Sequence, residues 1–161
     1  PVLRVFEEAG CVFRTAGDTL EIQPPPRLNR VHSVRTMPYP GFPTDAQAPV
    51  MAMETLARGT SIFVENIFEE RYKHVGELLR MGAHIRVDGR VAVVEGVRQL
   101  FGAPVEAADL RGGAALVVAG LAAQGQTVVT GVHHIDRGYE RIEQALSALG
   151  AQVERRPDSE G

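Results

Sequence analysis

The sequence predicts an α/β fold made of repeated β-α-β-α-β-β units packed around shared, buried helices. The first indication is self-similarity at an offset of 66 residues: Gly59 and Gly125 each end an apolar helical segment, and Arg71 and Arg137 follow at the same offset. Second, the segments "AQAPVMAMETLA" and "RGGAALVVAGLAA" are apolar on nearly every side, which predicts helices buried on every side. Third, each is followed by a stretch rich in β-branched residues, "TSIFVEN" or "QTVVTGV", which is typical of a strand.

The first half of each unit begins with an extended stretch that leads to an acidic residue at the start of a helix. Asp45 and Asp109 occupy this position, 64 residues apart, and Asp is favoured at helix starts. The strand described above follows the helix. The extended stretch and the first helix are predicted at 31–36 and about 44–57 in one copy, and at 105–107 and about 110–123 in the other.

The second half of each unit is predicted to be an amphipathic helix followed by one or two short strands. These helices, at about 73–81 and 139–149, should lie on one side of a sheet. The opening segment "VLRVFEEAGCVFRTAGDTLEI" is similar to "VGELLRMGAHIRVDGRVAVVEG" and is predicted to be the tail of an earlier copy. The chain therefore contains about two and a half units of a single domain, at roughly 1–30, 31–104 and 105–161.

Composition and charge describe an ordinary globular domain. The 161 residues are 44% apolar and 23% charged, with a net charge of −3. No basic run is longer than Arg155-Arg156 and there is no Trp, which argues against a surface for nucleic acid.

Cysteine and histidine usage predicts an intracellular protein without a metal or cofactor. Cys11 is the only cysteine, so no internal disulfide can form and a reducing, cytoplasmic compartment is expected. The histidines have no metal-ligand spacing, and no apolar run approaches the length of a membrane span. The chain begins at Pro1 in what reads as a helix, so we expect it to be a piece of a longer protein.

Four motifs carry a resemblance to a known enzyme family: "YPGFPTDAQAP", "NIFEERYKHVGELLRMGAHI", "ADLRGGAALVVAGLAAQGQTVV" and "HHIDRGYERIEQALSALGA". In this order and spacing they resemble the UDP-N-acetylglucosamine 1-carboxyvinyltransferases, or UDP-GlcNAc enolpyruvyl transferases, over nearly the whole chain. The resemblance implies two inside-out α/β domains, each of three β-α-β-α-β-β units, with the substrates in the cleft between them. This chain would supply part of the domain that contains the C-terminus.

The same resemblance implies a reaction. The enolpyruvyl group of phosphoenolpyruvate is transferred to the 3′-hydroxyl of UDP-GlcNAc with release of phosphate, in the first committed step of bacterial peptidoglycan synthesis. The implied partners are these two small molecules and the rest of the enzyme, with no nucleic acid and no membrane. Self-association through an exposed unit face is a further expectation.

The family's catalytic cysteine lies on a mobile loop of the other domain, so the resemblance gives it no counterpart in this chain. Cys11 in "EAGCVF" occupies the place of Ala83 in "RMGAHI" and is expected to be a small buried core residue. The isolated chain is therefore expected to be inactive. Two alternatives stay open: an enzyme like 5-enolpyruvylshikimate-3-phosphate synthase, and a non-catalytic binding or scaffold fragment.

By resemblance, Asp45 in "FPTDAQA" contacts the 3′-hydroxyl and acts as its general base. A carboxylate within hydrogen-bond reach of a hydroxyl suits that role, although the residues alone favour a helix cap. Ile67, with Phe68 beside it, matches a position that touches the sugar nucleotide through backbone and apolar contacts. From the residues alone, Ile67 would be an ordinary core residue at a strand end.

Arg71 and Arg137 recur at one place in neighbouring units, which predicts that both face one cleft. Planar guanidinium groups suit the carboxylate and the phosphate of phosphoenolpyruvate. The resemblance assigns phosphoenolpyruvate binding to Arg137 and positioning of the substrate or intermediate to Arg71. The alternatives are a local ion pair with the preceding acid, Glu70 or Asp136, and a solvated surface arginine.

Asp109 and Arg111, in "ADLRGGAAL", lie at the start of the second buried helix, where free N–H groups and the helix dipole favour an anion. The resemblance places Asp109 by the reacting centre, where it would assist proton transfer or orient the intermediate. A helix cap is the alternative. The predicted catalytic residues are Asp45, Asp109 and Arg137, and the predicted substrate-binding residues are Asp45, Ile67, Phe68, Arg71, Arg111 and Arg137.

Overall fold

The computed structural model of the chain describes residues 1–157, so the last four residues of the predicted third unit lie outside the described part. The helices are α1 (Val2–Glu8), α2 (Thr44–Glu54), α3 (Val75–Arg80), α4 (Leu110–Ala122), α5 (His133–Asp136) and α6 (Ile142–Ala148). The strands are β1 (Val12–Ala16), β2 (Thr19–Gln23), β3 (Ser33–Arg35), β4 (Thr60–Val64), β5 (His84–Asp88), β6 (Val91–Glu95), β7 (Pro104–Glu106) and β8 (Val128–Thr130). None of these helices is long and apolar enough to cross a membrane.

The middle of the chain forms one complete β-α-β-α-β-β unit, β3-α2-β4-α3-β5-β6. Its strands make a four-stranded sheet in the order β3-β4-β6-β5. The β3–β4 pair is parallel because α2 carries the chain back between them, whereas β4–β6 and β5–β6 are antiparallel. The predicted fold class is confirmed.

The two ends of the chain contain parts of the same pattern. α1 leads into the antiparallel β1–β2 hairpin, as α3 leads into β5–β6. At the other end, β7 and β8 pair in parallel around α4. The strands expected after the last helix are not found within residues 1–157.

The helix-to-strand turn at Cys11 repeats at Ala83. The Cys11 amide donates to the Phe6 carbonyl and the Ala83 amide donates to the Leu78 carbonyl, over 2.9 and 3.0 Å. Each follows a glycine with positive φ, a conformation common just after a helix end. Both side chains are buried, so the prediction that Cys11 is a core residue is confirmed, and burial raises the pKa of its thiol.

The core lies around α2 and α4, which pack on each other as predicted. Except at Asp45, every residue of α2 is buried or half-buried, as is the first half of α4, but burial on every side fails for the second half of α4. Val118 is 36% exposed and Leu121 is 45% exposed. Within the described residues, no element covers that face of the helix.

The two amphipathic helices differ in what they bury. α3 buries Val75 and Leu78. α6 buries no residue, although its sequence has the same periodicity. In residues 1–157 no β-hairpin follows α6, so the sheet on which it was expected to lie is missing from the described structure.

Candidate functional site

Asp45 and Arg111 meet where α2 and α4 begin. Each is the second residue of its helix, and Asp45 Oδ2 lies 2.8 Å from Arg111 Nη2. Because the two helices pack together, their first turns lie side by side although 66 residues separate the two side chains. This ion pair is short enough for a charge-assisted hydrogen bond.

Arg71 reaches the same carboxylate from the segment between β4 and α3. Its Nη2 atom lies 3.3 Å from Asp45 Oδ1, so its ion pair is with Asp45 and the alternative of a local pair with Glu70 is wrong. One carboxylate is therefore held between two guanidinium groups. The Asp45 side chain is 57% exposed and those of Arg71 and Arg111 are 24% and 25% exposed, so the carboxylate is open to solvent.

The capping roles of the two acids differ. Pro43 is the N-cap residue of α2 and no side chain caps it, so the cap interpretation of Asp45 is wrong. Asp109 does cap α4: its Oδ1 atom accepts a hydrogen bond from the Gly112 amide over 2.7 Å. The Asp109 carboxylate thereby satisfies one of the free N–H groups at this helix start.

The positions of the helix starts change which residues correspond between the two units. Both helices begin 66 residues apart, so the structural counterpart of Asp45 is Arg111. The pairing of Asp45 with Asp109 at an offset of 64 was wrong. Asp45 is the second residue of α2, whereas Asp109 is the N-cap residue directly before α4, so the two acids occupy helix positions that differ by two.

An aromatic ring lies against each of the two arginines. The Arg71 guanidinium carbon is 5.0 Å from the centre of the Phe68 ring, and that of Arg111 is 5.4 Å from the Tyr139 ring. Arg111 Nη1 also donates to the Tyr139 hydroxyl over 3.1 Å. The hydrogen bond to Asp45, helped by that to Tyr139, raises the pKa of Arg111 further, against a smaller opposing effect of burial. These contacts hold both guanidinium groups in place.

His74 lies behind the cap of α4. It is 3% exposed, neither of its ring nitrogens has a hydrogen-bond partner within residues 1–157, and its Cβ is close to Gly112. Burial lowers its pKa to about 4, although Asp109 favours the protonated ring, and Arg71 adds to the lowering. His74 is therefore a neutral, structural histidine at neutral pH.

Arg137 lies at the end of α5. It is not bonded to the cluster formed by Asp45, Arg71 and Arg111. Among the described residues its side chain makes no hydrogen bond or ion pair. The alternative of a local pair with Asp136 is wrong, because Asp136 is bonded to Arg155 over 2.7 and 2.9 Å. The Arg137 side chain is exposed. Two residues beyond Arg137, Tyr139 reaches Arg111, which places the Arg137 backbone near the start of α4.

Ile67 and Phe68 form a turn that is held by a buried acid. Their backbone amides donate to Glu65 Oε1 over 2.9 and 3.1 Å. The same carboxylate accepts from the hydroxyls of Thr36 and Thr44, over 2.8 and 3.0 Å. Ile67 is half-buried and Phe68 is exposed, so the turn presents one apolar side chain to solvent.

Sequence reasoning missed two residues of this region, Glu65 and Tyr139. Glu65 is an acid placed directly after a β-branched strand and before the "NIFEER" motif, a position where a charge is unusual unless it is satisfied. Tyr139 follows Arg137 in "DRGYER", and nothing in its local sequence indicates contact with Arg111.

The cluster is an open surface rather than an enclosed cavity. Two surface concavities of this structure, one beside α1 and one on the β5–β6 hairpin, are lined by none of its residues. In the described part of the chain, no group of three or more His, Cys, Asp or Glu side chains is arranged to hold a metal ion. A carboxylate that can accept a proton, next to two fixed cations that can bind anions, suits proton transfer beside an anionic ligand.

The first 146 residues match the profile of the family described as EPSP synthase (3-phosphoshikimate 1-carboxyvinyltransferase). The chain belongs to the EPSP synthase family. Among curated members of similar sequence, UDP-N-acetylglucosamine 1-carboxyvinyltransferase 3 of Symbiobacterium thermophilum is 52% identical over 154 residues. UDP-N-acetylglucosamine 1-carboxyvinyltransferase of Myxococcus xanthus is 53% identical over 150 residues.

These alignments cover 96% and 93% of this chain but only 36% of each relative, so the chain spans about a third of the length of the relatives it matches. The resemblance found in the sequence is confirmed. Among solved structures of the EPSP synthase family fold, the enolpyruvyl transferase NikO from Streptomyces tendae superposes with a TM-score of 0.85 at 27% identity, over 96% of this chain and 36% of that one. An EPSP synthase from Acinetobacter baumannii superposes with a TM-score of 0.68 at 18% identity, with the same coverage. This second likeness shows a shared fold only.

Proposed function

We propose that this chain forms one wall of a UDP-N-acetylglucosamine 1-carboxyvinyltransferase site. The reaction would transfer the enolpyruvyl group of phosphoenolpyruvate to the 3′-hydroxyl of UDP-GlcNAc and release phosphate. The observation that carries the proposal is the Asp45 carboxylate between Arg71 and Arg111, at the common start of two buried helices. The roughly 50% identity to enzymes of that name supports the choice of acceptor.

Asp45 is proposed as the general base. Its carboxylate is exposed enough to meet a sugar hydroxyl, and a hydroxyl oxygen that loses its proton to Asp45 can attack C2 of phosphoenolpyruvate. Addition of a proton at C3 then completes a tetrahedral intermediate. Loss of a proton from C3 and departure of phosphate would give the enolpyruvyl ether. The acid that protonates C3 would come from the part of the enzyme outside this chain.

Arg71, Arg111 and Arg137 are proposed to bind the anionic groups. Arg71 and Arg111 are already held in place by aromatic rings and by Asp45, so little conformational freedom is lost when an anion binds. Arg137 makes no side-chain bond within residues 1–157, which leaves its guanidinium available for phosphoenolpyruvate. Asp109, fixed as a helix cap, is proposed to orient the intermediate.

The proposal extends to the setting of the reaction. We place it in the cytoplasm, as the first committed step of peptidoglycan synthesis. The partner would be the rest of the enzyme, which would form the opposite wall of the cleft and cover exposed apolar side chains such as Val128 and Leu149. Sedimentation of the chain alone would distinguish this arrangement from self-association through the same face.

The test is to mix this chain with the complementary N-terminal portion of a close relative and to measure phosphate release from phosphoenolpyruvate. Release that depends strictly on UDP-GlcNAc and disappears with Asp45→Asn is the expected result. Glu95→Gln is the matched control, because Glu95 is an exposed acid of β6 opposite Thr60, at the end of β4 away from the Ile67–Phe68 turn. No release from a folded, associated pair would contradict the proposal and favour a non-catalytic fragment.

A second variant tests the anion site. Arg137→Ala should abolish turnover without unfolding the chain, while Arg86→Ala, which removes an exposed arginine from β5, should leave turnover unchanged. Near-normal turnover by Arg137→Ala would remove Arg137 from the site. The family description also favours 3-phosphoshikimate as a second candidate acceptor, and exchange of the acceptor in the same assay decides between them.

A further inference from the structure

Glu65 lies at the point where three elements converge on the candidate site. It directly follows β4, and its side chain contacts Thr36, which directly follows β3, and Thr44, the first residue of α2. Glu65 and Thr36 are almost completely buried. A buried carboxylate is costly unless it is fully hydrogen-bonded, and this one accepts four bonds.

The four bonds divide between the two carboxylate oxygens. Oε1 accepts from the Ile67 and Phe68 amides and from the Thr36 hydroxyl, at 2.9, 3.1 and 2.8 Å. Oε2 accepts from the Thr44 hydroxyl at 3.0 Å. The turn that carries Phe68 and the helix start that carries Asp45 are therefore held by the same side chain.

We propose that Glu65 is a positioning residue, which fixes the Ile67–Phe68 turn relative to Asp45 so that acceptor and base meet in the correct geometry. This inference rests on the proposed function, in which that turn contacts the sugar nucleotide and Asp45 contacts its hydroxyl. Glu65 touches neither substrate nor reacting atoms. It acts through two backbone amides and one threonine hydroxyl.

The chain contains a matched control at the opposite end of the same elements. Glu54, the last residue of α2, is also fully buried. Its Oε2 atom accepts from the Ser61 hydroxyl at 2.6 Å and from the Val31 amide at 3.1 Å. Glu54 therefore joins α2 to β4 and to the approach to β3, far from the proposed site, and its loss should destabilise the same region without changing the turn.

The conservative variant Glu65→Gln should rescue the function. The glutamine carbonyl can accept the three bonds now made to Oε1, and its amide can donate to the Thr44 hydroxyl, since a hydroxyl serves as donor or acceptor. Glu65→Ala removes the acceptor of all four hydrogen bonds and leaves the Ile67 and Phe68 amides without a partner. Comparison of the two variants therefore separates the effect of losing the hydrogen bonds from the effect of losing the negative charge.

The experiment has two readouts. In the chain alone, hydrogen exchange followed by NMR should show the Ile67 and Phe68 amides exchanging on the order of ten- to hundredfold faster in Glu65→Ala, as expected for the loss of a bond to a charged acceptor. In the assembled enzyme, the KM for UDP-GlcNAc should rise about tenfold or more in Glu65→Ala. Glu65→Gln and Glu54→Ala should stay near wild type in both measurements.

The outcomes are distinct. A KM that changes no more in Glu65→Ala than in Glu54→Ala, at comparable loss of stability, would overturn the inference and leave Glu65 a structural residue. If the wild-type mixture has no turnover, the proposed function fails and amide exchange alone decides on the positioning. Faster exchange confined to the turn then supports it, and a uniform increase over α2 and β4 overturns it.

Discussion

Lowering the pH from neutral should reduce the free energy of unfolding through His74, and His74→Leu should remove that part of the loss. The ring is buried and neither nitrogen has a partner in the described structure. Burial lowers its pKa from 6.5 to about 4, with Asp109 opposing the shift and Arg71 adding to it. The native state therefore resists protonation of a group that the unfolded chain protonates readily.

The direction of this pH dependence follows from which state, folded or unfolded, binds the proton more readily. The unfolded chain protonates His74 as the pH falls below 6.5, whereas the folded chain does so only near pH 4. Stability contributed by the neutral ring is therefore fully present above the unfolded pKa and is lost as the pH falls through this window. At 1.36 kcal/mol for each unit of pKa difference, the loss amounts to about 3 kcal/mol, a large fraction of the stability of a small domain.

Urea unfolding followed by circular dichroism at a series of pH values measures the effect. The loss between about pH 7 and pH 4 should be about 3 kcal/mol smaller in His74→Leu than in wild type. His84→Gln, which removes an exposed histidine from β5, is the control and should keep the wild-type slope. The reasoning is refuted if His74→Leu has the wild-type pH dependence, or if NMR shows His74 titrating near its ordinary value.

Three further predictions concern stability. Asp109→Ala should cost about 1 kcal/mol in urea unfolding because the Gly112 amide loses its cap, and Asp109→Ser should recover most of it; equal stabilities would contradict the capping role. Burial raises the pKa of Glu54, so its contribution is fully present below about 4.5, the ordinary value, and is lost as the pH rises through the folded pKa. Glu54→Gln should therefore gain stability relative to wild type with rising pH, and a constant difference would argue against a raised pKa. Gly113→Ala would place a methyl group 2.6 Å from Ile135 Cγ1 and should cost about 1–3 kcal/mol from overpacking; a neutral change would mean that α5 does not pack against α4 as described.

Much of the architecture was readable from the sequence because each element carries a local signal. The apolar helix at α4 was predicted at 110–123 and found at Leu110–Ala122. The burial of Cys11 followed from its alignment with Ala83, since a repeated helix end makes the same turn in both copies. The cap at Asp109 was one of two interpretations left open, and the structure shows it.

The assembly of the site was decided by tertiary structure. Asp45 is the second residue of α2, whereas Asp109 is the residue directly before α4, so the two acids differ by two positions and an acid and an arginine, rather than two acids, face each other. Local sequence does not encode this pairing, because it depends on how two helix starts meet across 66 residues. Glu65 was not predicted from the sequence for the same reason. Its four hydrogen-bond partners come from three separate segments, which only the packing of the sheet and the helix brings together.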